Sequence, residues 1–91
     1  SFSFERDDHH ITNAIKDEVM RKCKEGEVKM IGSRPVVRTE TIDGYKFYLN
    51  DDEWIMVRAS GTEPVLRIYA QTPSTAQSRT LLDEAAKSLM G

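Results

Sequence analysis

The sequence predicts an α+β fold in which two helices pack on one face of a four-stranded antiparallel sheet. Apolar residues at helical spacing occur near each end of the chain, and four strand-like segments lie between them. Because short turns connect these strands in sequence, they are expected to pair antiparallel. Both helices then cover the same face of a single sheet.

The first helix is predicted over residues 11–24. Its apolar residues recur every three or four positions and so share one face: Ile11, Ala14, Ile15, Val19 and Cys23. Asp7 and Asp8 precede it, where carboxylates favour the positive end of the helix dipole. Gly26 marks its end. Residues 1–10 are expected to form a hinge or linker, and residues 11–91 a single domain.

A hairpin is predicted after the first helix. Residues 37–42 are largely β-branched, which favours a strand. Asp43-Gly44 is a dipeptide that accepts positive φ angles and therefore suits a tight turn. Beyond it Tyr45, Phe47 and Leu49 alternate with polar or amphipathic residues, as in a half-buried strand.

Two further strands are predicted, over residues 54–58 and 65–71, after a turn at Asn50-Asp51-Asp52. In the last strand Leu66, Ile68 and Ala70 occupy one face, and Val65, Arg67 and Tyr69 the other. Ser74 and Gln77 then have the spacing of a capping box, with Pro73 directly outside it. The helix that follows has an apolar stripe of Leu81, Leu82, Ala85, Ala86 and Leu89.

Composition excludes several classes of function. The 91 residues carry 13 Lys and Arg against 15 Asp and Glu, so the net charge of −2 disfavours nucleic-acid binding. No apolar run is long enough to span a membrane, and no signal peptide is visible. A single cysteine, Cys23, permits a reducing compartment, and a cytoplasmic location is expected. Because the chain begins at Ser1 rather than Met, we interpret it as a piece of a longer protein.

The connection between the last two strands has the composition of a phosphate-binding site. Arg58 ends one strand and Arg67 lies early on the next, so antiparallel pairing brings both guanidinium groups to one end of the sheet. Such planar groups match phosphate oxygens in pairs. Ser60 and Thr62 add hydroxyl donors, and Gly61 is expected to let backbone N–H groups turn into one concavity, or nest. Composition alone also fits an ordinary hairpin loop, and the P-loop pattern is absent.

Residues 58–69 resemble the phosphate-binding loop in the C-terminal domain of the phosphohexomutases, particularly the phosphoglucomutase/phosphomannomutase branch. The stretch reads Arg-Ala-Ser-Gly-Thr-Glu-Pro-Val-Leu-Arg-Ile-Tyr, and the likeness extends upstream to the hairpin at residues 42–47 and the strand at 54–57. It covers about residues 36–73. Ala59 departs from the proline that is frequent in the family. The fold implied is similar to that of TATA-binding protein.

The resemblance implies that this loop holds the substrate phosphate that is not being transferred. Glu63 and Pro64 are assigned to loop shape, and the phosphate contacts to Arg58, Ser60, Gly61, Thr62 and Arg67. In such enzymes a phosphoserine and a Mg²⁺ ion, both on other domains, move a phosphoryl group between the C1 and C6 oxygens of a hexose phosphate through a bisphosphate. The corresponding motifs are absent here. No catalytic or metal-binding residue is therefore expected in this chain, and alone it should be inactive.

Other interpretations remain open from the sequence. The chain can be the C-terminal domain of a phosphoglucosamine mutase, or a free-standing or regulatory module that binds a phosphorylated ligand through the same loop. Expected partners are hexose phosphates, hexose bisphosphates and other domains of the same chain, without nucleic acid or membrane. His9-His10 is interpreted as a solvated pair, Cys23 as an inert buried thiol, and the acidic residues 51–53 as a solvated turn.

Overall fold

The computed structural model describes residues 1–91, which form two helices and seven strands. The helices are α1 (Asn13–Lys24) and α2 (Thr75–Met90). The strands are β1 (Ser3–His10), β2 (Met30–Ile31), β3 (Arg34–Pro35), β4 (Arg38–Glu40), β5 (Tyr45–Tyr48), β6 (Trp54–Ala59) and β7 (Val65–Thr72). The main sheet has the order β1-β7-β6-β5-β4, and β2 and β3 form a separate two-stranded hairpin. All pairs are antiparallel.

The predicted fold class is confirmed, but the main sheet has five strands instead of four. The additional strand is β1, which pairs with β7 along its whole length, from Ser3 opposite Thr72 to His10 opposite Val65. The prediction that residues 1–10 are a hinge or linker therefore needs correction, since residues 3–10 belong to the sheet. Their backbone groups are bonded to β7, which makes this segment part of the domain.

One face of the sheet carries the core. Ile55, Val57, Leu66, Ile68 and Ala70 are fully buried there, each with 0% of its surface exposed. The helices contribute Val19 and Cys23 from α1 and a longer set from α2: Leu81, Leu82, Ala85 and Leu89. Both helices therefore pack on the same face, as predicted.

The helix boundaries follow from capping. The Thr12 side chain accepts a hydrogen bond from the backbone N–H of Ile15, so α1 begins two residues later than the predicted Ile11. Ser74 caps α2 by accepting from the N–H of Gln77, as the predicted capping box requires, but the Gln77 side chain accepts from the Ser74 hydroxyl and not from its backbone N–H, which donates to Thr72. The predicted apolar stripe of α1 is only partly correct, since Ile15 is 42% exposed.

At 12 and 16 residues, neither α1 nor α2 reaches the length and apolar character of a membrane-crossing helix.

Candidate functional site

Arg58 and Arg67 lie directly opposite each other on β6 and β7. Their neighbours Val57 and Ile68 form the adjacent cross-strand pair and are buried beneath the helices. Because side chains alternate along a strand, both arginines project from the helix-free face, which we call the open face. Arg58 is exposed, and 37% of the Arg67 side chain is accessible. The predicted placement of the two guanidinium groups at one end of the sheet is confirmed.

A carboxylate accompanies the arginines on the open face. Asp8 pairs with Arg67 across β1 and β7, and its Oδ1 lies 3.6 Å from Arg67 Nε. The same oxygen lies 3.2 Å from Arg6 Nε. Asp8 was predicted to precede the first helix, and its pairing with Arg67 depends on β1, which the sequence did not reveal.

The loop between β6 and β7 turns around the Ser60 hydroxyl. Its Oγ accepts from the backbone N–H of Thr62 at 3.4 Å and of Glu63 at 3.2 Å. These two N–H groups are therefore engaged within the chain and do not form the open nest that was predicted. The Gly61 N–H, in contrast, makes no hydrogen bond in the structure. Since a hydroxyl is also a donor, Ser60 retains one hydrogen for an external acceptor.

Gly61 has a different structural character from the one predicted. Its φ lies outside the left-handed region, and a Cβ at this position would meet no atom within 4 Å. The turn does not require glycine for its backbone angles. Glycine leaves open space on its Cα, next to an unpartnered N–H.

Hydrogen bonds from residues that are distant in the sequence hold the β6–β7 loop in place. The ammonium of Lys16, on α1, donates to the carbonyl oxygens of Ser60 at 3.0 Å and Glu63 at 3.2 Å. The N–H of Ile11 donates to the carbonyl of Pro64 at 3.0 Å. The backbone oxygens of Glu63 and Pro64 thus take part in holding the loop. Sequence reasoning missed Lys16, which has no motif of its own.

The arginine pair also depends on the β4–β5 turn. Asp43 and Gly44 both have positive φ, 58° and 130°, as the dipeptide predicted. A Cβ on Gly44 would lie 2.8 Å from Arg58 Cγ and 2.5 Å from the Val57 carbonyl oxygen. Glycine therefore permits the close approach of this turn to the base of the Arg58 side chain.

The candidate site is an open surface and not the concavity that was predicted. The three concavities of the chain lie elsewhere, and none is lined by a residue of the 58–67 segment. Arg58, Gly61 and Thr62 are all exposed. A ligand bound here would remain largely in contact with solvent unless something else covered it.

The aromatic residues of β5 and β6 do not form a free stacking platform on the open face. Phe47 faces the core and is 2% exposed, while Tyr45 is half-buried against it. Tyr48 and Trp54 lie on the open face, but the Lys46 ammonium sits 5.0 Å and 4.1 Å from their ring centres. The cation covers the surface that a base would need.

The remaining polar candidates lie away from the arginine pair. His9 and His10 occupy opposite faces of β1, so they cannot bind one metal ion together. The His9 Nε2 is buried without a hydrogen-bond partner. In the acidic turn, the Glu53 carboxylate accepts from Asn50 Nδ2 at 3.0 Å and from Arg34 at 2.9 Å, which lowers its pKa. Both oxygens of this carboxylate are therefore engaged by protein donors.

The chain is similar to known proteins over most of its length. Residues 15–88 match the family model described as phosphoglucomutase/phosphomannomutase, C-terminal domain. A phosphopentomutase of Thermococcus kodakarensis is 39% identical over 70 residues, covering 77% of this chain and 15% of the relative. A phosphoglucomutase/phosphomannomutase of the same organism is 36% identical over 69 residues, or 76% of this chain and 15% of the relative. A phosphoglucosamine/phosphogalactosamine mutase of Sulfurisphaera tokodaii is 35% identical over 75 residues, covering 82% of this chain and 15% of the relative.

Proposed function

The chain belongs to the family of phosphoglucomutase/phosphomannomutase C-terminal domains, and from this premise we propose that its 58–67 segment binds the phosphate group of a hexose phosphate within a larger mutase. The observation that carries the proposal is the cross-strand pair of Arg58 and Arg67 on the open face. The unpartnered Gly61 N–H lies in the loop that joins their strands. A phosphate accepts hydrogen bonds from groups of these two kinds, guanidinium groups and free backbone N–H groups.

Within the parent enzyme, the proposed role is positioning. The arginines and the loop hold the phosphate that is not transferred, so that the other end of the sugar meets the reacting group on another domain. A phosphoserine and Mg²⁺ of the parent would supply the phosphoryl-transfer chemistry from outside this chain. Because the intermediate bisphosphate must turn around, the site must accept either of its phosphates. Contacts confined to phosphate meet that requirement.

The openness of the site agrees with a shared binding cleft. This chain spans about 15% of the length of the relatives it matches. We propose that other domains of the parent cover the open surface when substrate is bound, which excludes water from the reaction. In the isolated chain one side of the phosphate would stay solvated.

Binding by the isolated chain should therefore be weak. Charge-assisted hydrogen bonds contribute roughly 1.5 to 3 kcal/mol each, whereas association costs about 4 to 15 kcal/mol. We expect a dissociation constant on the order of millimolar or weaker for hexose phosphate. No mutase turnover is expected from this chain alone.

The sugar is a separate question. The relatives include mutases named for pentose, hexose and glucosamine phosphates. A phosphoglucosamine mutase is therefore the alternative parent. The phosphate contacts proposed here do not distinguish the two parents, since they involve no part of the sugar.

Two-dimensional NMR of the 91-residue chain, titrated with inorganic phosphate and with glucose 6-phosphate, tests the proposal. Amide shifts should concentrate in residues 58–67 and fit one dissociation constant. Arg58→Ala and Arg67→Ala should each weaken binding about tenfold or more while the rest of the spectrum stays intact. Arg38→Ala is the matched control, since Arg38 is an exposed arginine on the distant edge strand β4. Shifts confined to other residues, or equal losses in all three variants, would refute the assignment.

A further inference from the structure

The Lys16 side chain makes the only side-chain hydrogen bonds that reach the β6–β7 loop from another element. Its ammonium donates to the carbonyl oxygens of Ser60 and Glu63, at 3.0 Å and 3.2 Å. The residue is half-buried on α1, which packs on the face opposite to the arginines. These contacts span 44 and 47 residues of sequence, and the family resemblance assigned no role to α1.

The bond to Ser60 determines where the next N–H points. In a trans peptide the carbonyl and the following N–H lie in one plane and are directed oppositely. The chain contains no cis peptide bond. Because the Ser60 carbonyl is directed at Lys16, the Gly61 N–H is directed away from α1, and it has no partner within the chain.

The same ammonium also determines the direction of two carbonyl oxygens of the loop, which carry partial negative charge. A carbonyl oxygen facing a phosphate would repel it, whereas one bound to an ammonium is turned away and its partial charge is offset. Lys16 holds two of the loop's carbonyls in this way. The donors of the loop are thereby separated from its acceptors.

We propose that Lys16 is a positioning residue for the anion site: it orients the Ser60–Gly61 peptide so that the Gly61 N–H donates to the bound phosphate. The inference rests on the proposed function, since it specifies how the same site acquires a backbone donor. Lys16 acts through the peptide and does not itself touch the phosphate. Its effect should therefore be visible at Gly61 before any ligand is added.

The test compares Lys16→Met, Lys16→Arg and the control Lys24→Met in the 91-residue chain. Lys24 is an exposed lysine on the same helix. In Lys16→Met the Gly61 amide should change its chemical shift and solvent exchange without phosphate. The dissociation constant of the Lys16→Met variant for inorganic phosphate should rise about five- to tenfold, which corresponds to the loss of one hydrogen bond. Lys16→Arg should restore most of both effects, and Lys24→Met should resemble the unmodified chain.

The outcomes separate this inference from the proposed function. If Lys16→Met binds phosphate with the unmodified dissociation constant, while Arg67→Ala does not, the role of Lys16 is overturned and the site stands. If the Gly61 amide is unaffected in the phosphate-free variant, the orientation argument is overturned in the same way. If the unmodified chain shows no response to phosphate at residues 58–67, the proposed function fails and this inference fails with it. Thermal unfolding of all variants shows whether a loss of binding merely follows a loss of folding.

Discussion

Asp8 lies directly opposite Arg67 on neighbouring strands, with its Oδ1 3.6 Å from the Arg67 Nε. The carboxylate also pairs with Arg6, at 3.2 Å. A negative charge thus stands next to one of the two guanidinium groups on which phosphate binding is proposed to depend. Any anion that binds Arg67 must compete with Asp8 for the same donor and must overcome its repulsion.

Asp8→Asn should strengthen phosphate binding by the 91-residue chain about two- to fivefold, which is the scale of an exposed ion pair. The matched control is Asp7→Asn, because Asp7 faces the helices and accepts from Arg79 at 2.8 Å. The control should leave the affinity unchanged. NMR titration with inorganic phosphate measures both. Equal affinities for the two variants would show that Asp8 does not compete with the ligand.

Gly44→Ala should weaken both stability and phosphate binding. The new Cβ would lie 2.5 Å from the Val57 carbonyl oxygen and 2.8 Å from Arg58 Cγ, at a φ of 130°. We expect a loss of about 1 to 3 kcal/mol in the free energy of unfolding, together with displacement of Arg58. Gly26→Ala is the control: its φ is 72° but its Cβ meets nothing within 4 Å. Urea unfolding and phosphate titration should show a binding defect only in the Gly44 variant.

Gly61→Ala should separate binding from stability in the opposite way. Because its Cβ would meet no atom within 4 Å, the free chain should accommodate it. The free energy of unfolding should stay constant or rise by up to about 1 kcal/mol, since alanine restricts the unfolded chain more than glycine does. Phosphate affinity should fall, because the methyl group lies next to the proposed donor and limits how closely a phosphate can approach it. An undiminished affinity would place the phosphate elsewhere.

Glu53 should contribute a pH-dependent part of the stability. The hydrogen bond from Asn50, followed by that from Arg34, lowers the carboxyl pKa below its ordinary value of 4.5. The charged form is thus favoured in the folded state, so its contribution is complete above pH 4.5 and is lost as the pH falls through the lowered pKa. Glu53→Gln should cost about 0.5 to 1 kcal/mol at pH 7 and converge with the unmodified chain in strong acid. Urea titrations between pH 2 and 7 measure this, with exposed Asp51→Asn as the control.

Cys23 should be chemically inert while the chain is folded. It is 4% exposed, and burial raises the pKa of its thiol to about 11. Because the thiolate is the reactive form, Ellman's reagent at pH 8 should react only through unfolding. The rate should rise to that of a free thiol in urea. Fast labelling under native conditions would contradict the burial of this side chain in the core.

Local chemistry made several elements predictable from the sequence. The capping pair Ser74 and Gln77 located the start of α2, and Asp43-Gly44 located the β4–β5 turn. Alternation identified β7 and assigned Leu66, Ile68 and Ala70 to the buried face. Each of these signals involves residues within a few positions of one another, so no knowledge of the tertiary structure was needed.

Strand β1 was missed because it lacks an apolar alternation. Its helix-side residues are Ser3, Glu5, Asp7 and His9, and the polar groups of the first three meet α2 instead of an apolar core. Ser78 donates to the Ser3 carbonyl at 3.2 Å, and Arg79 binds Asp7 at 2.8 Å. The sequence of residues 3–10 alone does not predict these contacts with α2. The strand is defined by its backbone pairing with β7.

The sequence by itself determined the α+β fold class, the β6–β7 connection and the placement of Arg58 and Arg67 at one end of the sheet, because a short loop leaves two antiparallel strands little choice of register. Only the tertiary structure decided that Asp8 flanks Arg67, that Lys16 holds the loop carbonyls, and that the surface is open. The Asp8–Arg67 pair and the Lys16 hydrogen bonds join residues that lie 44 to 59 positions apart along the chain. Contacts over such distances are set by the packing of whole elements, which no local pattern of residue types records.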